Sequence, residues 1–274
     1  MRPTLSDKIS LIETLPDVHV IGGRDIQFSS CCGDPQSCRP GDVYVAMQSA
    51  GFDGHDFVEQ AVQLGARAIV AERHLPLGVP VGIVQDSREA FGQLCQQLAG
   101  QPSTRMRTIG ISGTHGKTTT AWLLDSIFRA ARQRSGLISS NRFSDSQQRS
   151  AGTADTPPAA ELAEWMAKMA WSGCENAVLE ISSEALAERR LSGVGLDIAV
   201  LTNVRREHLE RHGSLRNYRE AKARLFDHLK PGGVAVVNTD DTASRHFLRR
   251  LECPVLTIGM RSDAELTAEV IECH

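Results

Sequence analysis

The chain has 274 residues and a formal net charge of −3, with 41% hydrophobic and 23% charged residues. This is the profile of a soluble globular protein long enough for two domains. The weak negative charge excludes a global basic field for nucleic acid, and 5% aromatics argue against a base-stacking surface. No run approaches the roughly 18 apolar residues of a membrane span.

The N-terminal stretch MRPTLSDKISLIETL patterns as a short amphipathic helix. It lacks the apolar core and cleavage site of a signal peptide, so the expected compartment is the cytoplasm. In that setting the seven cysteines are free thiols. Cys31, Cys32 and Cys38 form a cluster, but it lacks a fourth ligand and metal-type spacing. Next come three expected strands, GDVYVAM (41–47), ARAIVAE (66–72) and VGIVQD (81–86). Helices at 55–65 and 87–100, each ending at a glycine, complete a small α/β unit. The polar, turn-rich segment 100–106 is the expected linker, giving domains 1–103 and 104–274.

A second series follows. RTIGIS (107–112), NAVLEIS (176–182), DIAVLTNV (197–204) and GVAVVNTD (233–240) are near-continuous apolar runs, which suit parallel strands buried on both faces. Helices are expected at about 118–134, 158–172 and 214–229, and residues 139–156 read as a long polar loop. The last residues, SDAELTAEVIECH, stop in a fresh strand, so the second domain is expected to be cut short. The fold class is therefore α/β: a small N-terminal domain, then a mostly parallel-sheet domain incomplete at its C-terminus.

The strongest chemical signal is IGISGTHGKTTTAWLLDSIF, 109–128. An apolar strand enters a glycine-rich turn, then Lys-Thr and an amphipathic helix, the context a P-loop needs. Gly113, Thr114, His115 and Gly116 would curl backbone amides around phosphate, and the helix N-terminus adds partial positive charge. Lys117 would reach the β/γ-phosphates of a nucleoside triphosphate, Thr118 would ligate Mg²⁺, and Thr119 follows in the same turn. Ile111 stands where the usual spacing has its first glycine. Glu180 ends a parallel strand and would face the same crevice, as a Mg²⁺ ligand or a water orienter. His208 and His212 compete for a metal or phosphate role just past the third strand.

The helix NYREAKARLFDHL (217–229) raises a different question. At about 100° per residue, Tyr218, Ala221, Leu225, Phe226 and Leu229 share a face, and Lys222 lies near its middle. Taken alone, the helix favours a lysine whose stem packs and whose charged tip reaches water.

In order along the chain, GTHGKTTT, LEISSEAL, LTNVRREHLERHG and YREAKARLF resemble motifs of the Mur ligases. PGDVYVAMQSAGFDGHDFVEQAVQLGARAIVAE resembles the UDP-binding domain of the MurE type. The resemblance implies an ATP-dependent amide-bond-forming ligase of peptidoglycan synthesis. Its substrates would be UDP-MurNAc-L-Ala-D-Glu and an amino acid, meso-diaminopimelate or L-lysine, joined through an acyl phosphate. It implies nucleotide contacts from Gly113 to Thr119 and from Asn203, Asn238 and Asp241. Thr118, Glu180 and His208 would serve Mg²⁺. Lys117, Lys222, His208 and Glu180 would be the catalytic set, and Thr156, Ser182 and Arg190 would contact the UDP-muramoyl-peptide. Lys222 would be carbamylated by CO₂, which needs a neutral amine, the form that desolvation and nearby cations favour. A monomer without nucleic-acid or membrane partners is expected.

Several residues depart from the family pattern. In DPQSCRPGD (34–42) the serine and arginine that help hold UDP are absent from their usual places, and Asp155-Thr156 replaces a pair of threonines. Glu184 stands where histidine is usual, and His115 is more usual in the MurC-like branch. The alternatives are a MurC/Mpl-like ligase or a truncated, non-catalytic nucleotide-binding homologue.

Overall fold

The computed structural model describes residues 8–49, 51–153, 155–205, 209–261 and 263–269. The chain divides into two compact units, with the boundary between Gln101 and Pro102.

The first unit contains β1 (Ile9–Ser10), α1 (Leu11–Thr14), β2 (His19–Ile21), β3 (Gln27–Phe28), β4 (Cys31–Cys32) and β5 (Val43–Val45). It continues with β6 (Gln48–Ser49), β7 (Phe52–Asp53), α2 (Val58–Gln63), β8 (Ala68–Ala71), β9 (Val81–Ile83) and α3 (Ser87–Leu98). Its main sheet runs β2-β9-β8-β5-β4, parallel except for β2 against β9. One face buries Leu11, Phe28, Val43, Val45, Val70 and Leu94, and the other buries Tyr44, Ala61, Ile69 and Val81. Alternate residues of β5 and β8 thus feed two cores, which is why these strands read as continuous apolar runs. Asp86 caps α3 by accepting from the amides of Arg88 and Glu89, and Gly100, at φ 77°, closes its C-terminal end.

The N-terminus corrects one expectation. Within the described residues the expected amphipathic helix is a single turn, Leu11–Thr14, capped by Ser10, while Ile9–Ser10 pairs with Gln27–Phe28 as strand. Sheet pairing outweighs the helical pattern there, and Leu11 is buried in the core.

The second unit contains β10 (Arg107–Ser112), α4 (Lys117–Ala130), β11 (Ser135–Ser139), β12 (Arg142–Ser144), β13 (Arg149–Ala151), α5 (Ala159–Trp171) and β14 (Asn176–Glu180). Then come α6 (Ser183–Ala187), β15 (Leu196–Leu201), α7 (Leu209–His212), α8 (Leu215–Asp227), β16 (Leu229–Asn238), α9 (Thr242–Leu248), β17 (Val255–Gly259) and β18 (Leu266–Thr267). Among the described residues the sheet order is β13-β12-β11-β14-β10-β15-β16-β17-β18, parallel from β11 to β18. Ile109, Ile111, Leu137 and Val178 pack on one face with Ala121 and Leu124 of α4. Ile138, Leu179 and Leu196 pack on the other with Leu162 and Met166 of α5, Leu186 of α6 and Leu225 of α8.

Residues 139–156 are not a plain loop. β12 and β13 fold back as an antiparallel extension of β11. The β13 residues are exposed and polar, so this edge carries no hydrophobic alternation to read.

Burial holds the imidazole of His228, the C-terminal cap of α8, below its ordinary value of 6.5. The unfolded chain then takes up the proton first, so stability is lost as the pH falls below about 6.5. Urea denaturation at pH 7.5 and 5.5 is expected to show this loss in the wild type and a smaller loss in His228→Gln.

Candidate functional site

Strand order places the loops after β10 and β15 side by side at the carboxyl edge of the sheet, the place where open α/β sheets bind ligands. β10 delivers Ser112 beside Leu201, and Ile111 beside Glu180. Beyond β10, Gly113 and Gly116 turn the chain into α4, Gly116 doing so at φ 82°. Asn203 clamps this turn from the neighbouring loop. Its Oδ1 accepts from the His115 amide at 2.9 Å, and its Nδ2 donates to the His115 carbonyl at 3.1 Å. The Thr202 hydroxyl donates to the same carbonyl at 2.7 Å.

A Cβ on Gly113 would lie 1.8 Å from Thr202 Oγ1. Gly113→Ala is therefore expected to cost about 1–3 kcal/mol of stability by overpacking. Urea denaturation measures it, with Thr202→Ala restoring part of the loss. An unchanged midpoint would show that the clamp is slack.

Lys117 curls over the turn, its Nζ donating to the carbonyls of Gly113 and Thr114 at 3.1 Å each. The Thr118 hydroxyl donates to Glu180 Oε1 at 2.8 Å, and the Ser140 amide donates to Oε2 at 2.9 Å. Thr119 is exposed in the first turn of α4, as is His115 before it. Thr114 is buried: its hydroxyl meets Tyr218 Oη at 2.8 Å and accepts from the Arg205 amide.

Lys222 is 1% exposed. Its tip does not reach bulk water, as a snorkelling lysine would. Nζ lies 4.8 Å from the centroid of the Tyr218 ring. Lys222 lines a cavity of about 210 Å³ with Gly113, Lys117, Ser140, Glu180 and Ser183. Asp155, Thr156, Ser182, Glu184 and Tyr218 complete the lining. His212 Nε2 meets Ser183 Oγ at 2.9 Å, and its ring stands edge-on to Tyr218.

The remaining expected contacts have local partners. The Thr156 hydroxyl donates to the Glu180 carbonyl and accepts from the Ser182 amide, while Ser182 Oγ caps α6. Arg190 binds Asp155 at 3.2 Å, the Thr156 carbonyl, and Glu188 at 2.7 Å. Asn238 accepts from the Asp240 amide. Asp241 caps α9 and accepts from the Val204 amide. Asn203, Asn238 and Asp241 nevertheless border one open groove. His208 lies outside the described residues, so the expected third metal ligand has no geometry here.

Sequence reasoning missed Ser140, Thr202 and Tyr218. Thr202 and Tyr218 lie within the motifs LTNVRREHLERHG and YREAKARLF, and that position could have flagged them. Ser140 follows β11, a strand whose sequence SGLIS carries little β signal.

The strand–turn–helix cradle, with a lysine and a carboxylate–hydroxyl pair at the sheet's carboxyl edge, defines a P-loop-type α/β domain. The model of the Mur ligase middle domain matches residues 111–274, and that of the Mur ligase family catalytic domain matches residues 26–97. This chain belongs to the Mur ligase family.

A Geobacillus thermodenitrificans protein named UDP-N-acetylmuramoyl-L-alanyl-D-glutamate–2,6-diaminopimelate ligase is 36% identical over 272 residues, covering 96% of this chain and 55% of its own. A Lactiplantibacillus plantarum protein of the same name is 37% identical, covering 90% and 52%. A solved structure bearing that enzyme name superposes with a TM-score of 0.78 at 27% identity, covering 93% of this chain and 53% of its own. MurF ligase from Thermotoga maritima in complex with ADP gives a TM-score of 0.51 at 25% identity, covering 85% and 51%. The chain spans about half the length of the curated relatives it matches. Among the described residues no helix is long and apolar enough to cross a membrane.

Proposed function

We propose that the complete protein is a MurE-type ligase of cytoplasmic peptidoglycan synthesis. It would join meso-diaminopimelate or L-lysine to UDP-MurNAc-L-Ala-D-Glu at the expense of ATP, and the names of the relatives favour diaminopimelate. The observation that supports it most is the shared cavity of Lys117, Glu180 and the buried Lys222, with Thr118 hydrogen-bonded to Glu180.

ATP would sit on the amides of residues 113–119, with Lys117 leaving its two carbonyls for the phosphates and the Asn203–Asn238–Asp241 groove taking the nucleoside. Thr118 and Glu180 offer hard oxygen donors that fit Mg²⁺, with His208 as a further ligand for a second ion. Bound there, Mg²⁺ would neutralise phosphate charge. Transfer of the γ-phosphoryl group to the substrate carboxylate would give the acyl phosphate, which the amine attacks with expulsion of phosphate. The chain's own work is positioning and charge stabilisation. Carbamylation of Lys222 would turn its buried tip into an anion facing the cations of the site. Phosphate and amide-product formation by the complete gene product, with UDP-MurNAc-L-Ala-D-Glu and each amino acid, tests the reading. ATP binding without product from either amino acid would overturn it.

Arg190, one of the residues expected to contact the UDP-muramoyl-peptide, is occupied by Asp155 and Glu188. This favours, as a second reading, a Mur-type ligase with an altered peptide site. Asp155→Thr is expected to tighten binding of the anionic UDP-muramoyl-dipeptide by about 5- to 10-fold, the value of roughly 1 kcal/mol for releasing a partly exposed ion pair. Calorimetric titration measures it, and unchanged affinity would remove Arg190 from the substrate site.

A further inference from the structure

Neighbouring residues of a strand point to opposite faces, and β4 uses this to separate its two cysteines. Cys31 meets Cys95 on one side of the sheet, while Cys32 packs on the other with Cys38 and Tyr44. On that second side, the Cys32 and Cys38 sulfurs and a carboxylate oxygen of Asp42 all lie within 4.8 Å of one another. The three residues are 8%, 7% and 7% exposed. Asp42 accepts from the Ser30 hydroxyl and, at 2.8 Å, from the Arg39 amide. Among the described residues no cationic side chain pairs with it. A buried carboxylate without a countercharge is costly.

We propose that Cys32, Cys38 and Asp42 form a binding site for one thiophilic divalent cation of the zinc class. Two sulfurs and one oxygen, with a fourth position for water, make a tetrahedral set, and sulfur ligands disfavour Mg²⁺ and Ca²⁺. On binding, each thiol releases its proton to solvent and each sulfur donates a lone pair; no group is oxidised. The cation supplies the charge that Asp42 lacks. It also fastens the turn at Pro35–Ser37, between β4 and β5, to the sheet. The sequence alone offers Cys31, Cys32 and Cys38 without a further ligand; in the fold Cys31 faces away and Asp42 joins the other two. It stands independently of the ligase reading.

The test uses the purified chain, reduced and stripped with a chelator, then titrated with Co²⁺ and Cd²⁺. One equivalent of each is expected to produce thiolate charge-transfer absorption, with visible tetrahedral bands for Co²⁺. Cys32→Ser and Cys38→Ser should each weaken binding by more than about 10-fold. Cys95→Ser and Cys253→Ser should leave it unchanged. Asp42→Asn preserves size should the serine variants fail to fold, and it should also weaken binding. Zinc should raise the wild-type melting temperature. Absence of a stoichiometric thiolate band in the reduced wild type would overturn the proposal. So would a band that survives in the Cys32→Ser/Cys38→Ser double variant, or a Cys32–Cys38 disulfide in protein thiol-blocked at lysis.

Discussion

Lys222→Ala in the complete gene product is expected to lower turnover by about 100-fold or more, the usual cost of removing a preorganised group that stabilises developing charge. ATP affinity should change little, because Lys222 is not part of the turn proposed to hold phosphate. A short carboxylic acid added in trans should restore part of the rate, since it supplies the anion that the proposed carbamate would provide. Burial makes this more than a guess from the helix. A lysine 1% exposed, against Tyr218 and beside Lys117 and Glu180, is not placed to hold its charge in water. Wild-type turnover in the variant would return Lys222 to a packing role.

Lys117→Ala is expected to weaken ATP binding by about 10- to 100-fold, because hydrogen bonds to charged groups contribute roughly 1.5–3 kcal/mol. Calorimetry on this chain measures it directly. The fold should survive, since the two bonds that Nζ makes are to carbonyls of a turn that Asn203 and Thr202 hold separately. Unchanged affinity would mean that the nucleotide binds without this turn. Glu180→Gln provides the contrast: it keeps an acceptor for Thr118 but removes the charge that a hard cation needs.

The central strands were legible because both of their faces are buried. Continuous runs such as RTIGIS and NAVLE can satisfy no other environment. The P-loop turn was legible because its residues are contiguous. Ser135–Ser139 was not, since its serines and glycine carry no β preference and its burial comes from α4 and α5 packing over it. The outer strand of the hairpin after it is an exposed edge, and the N-terminal helix yielded to sheet pairing at Ile9–Ser10. Within the site, the sequence could name Glu180 and Lys222 but not their distances. It took tertiary structure to show Asn203 and Asp241 fixing loops, and Asp155 holding the guanidinium of Arg190.

In the proposed reaction the γ-phosphoryl group of ATP passes to a substrate carboxylate. Oxygen labelling tests it most directly. UDP-MurNAc-L-Ala-D-Glu carrying ¹⁸O in its reacting carboxylate is incubated with the complete gene product, ATP and diaminopimelate, and the released phosphate is analysed by mass spectrometry. The account predicts one ¹⁸O per phosphate, because the carboxylate oxygen that attacks phosphorus leaves with it when the amine attacks carbon. Amide product formed with unlabelled phosphate would contradict it.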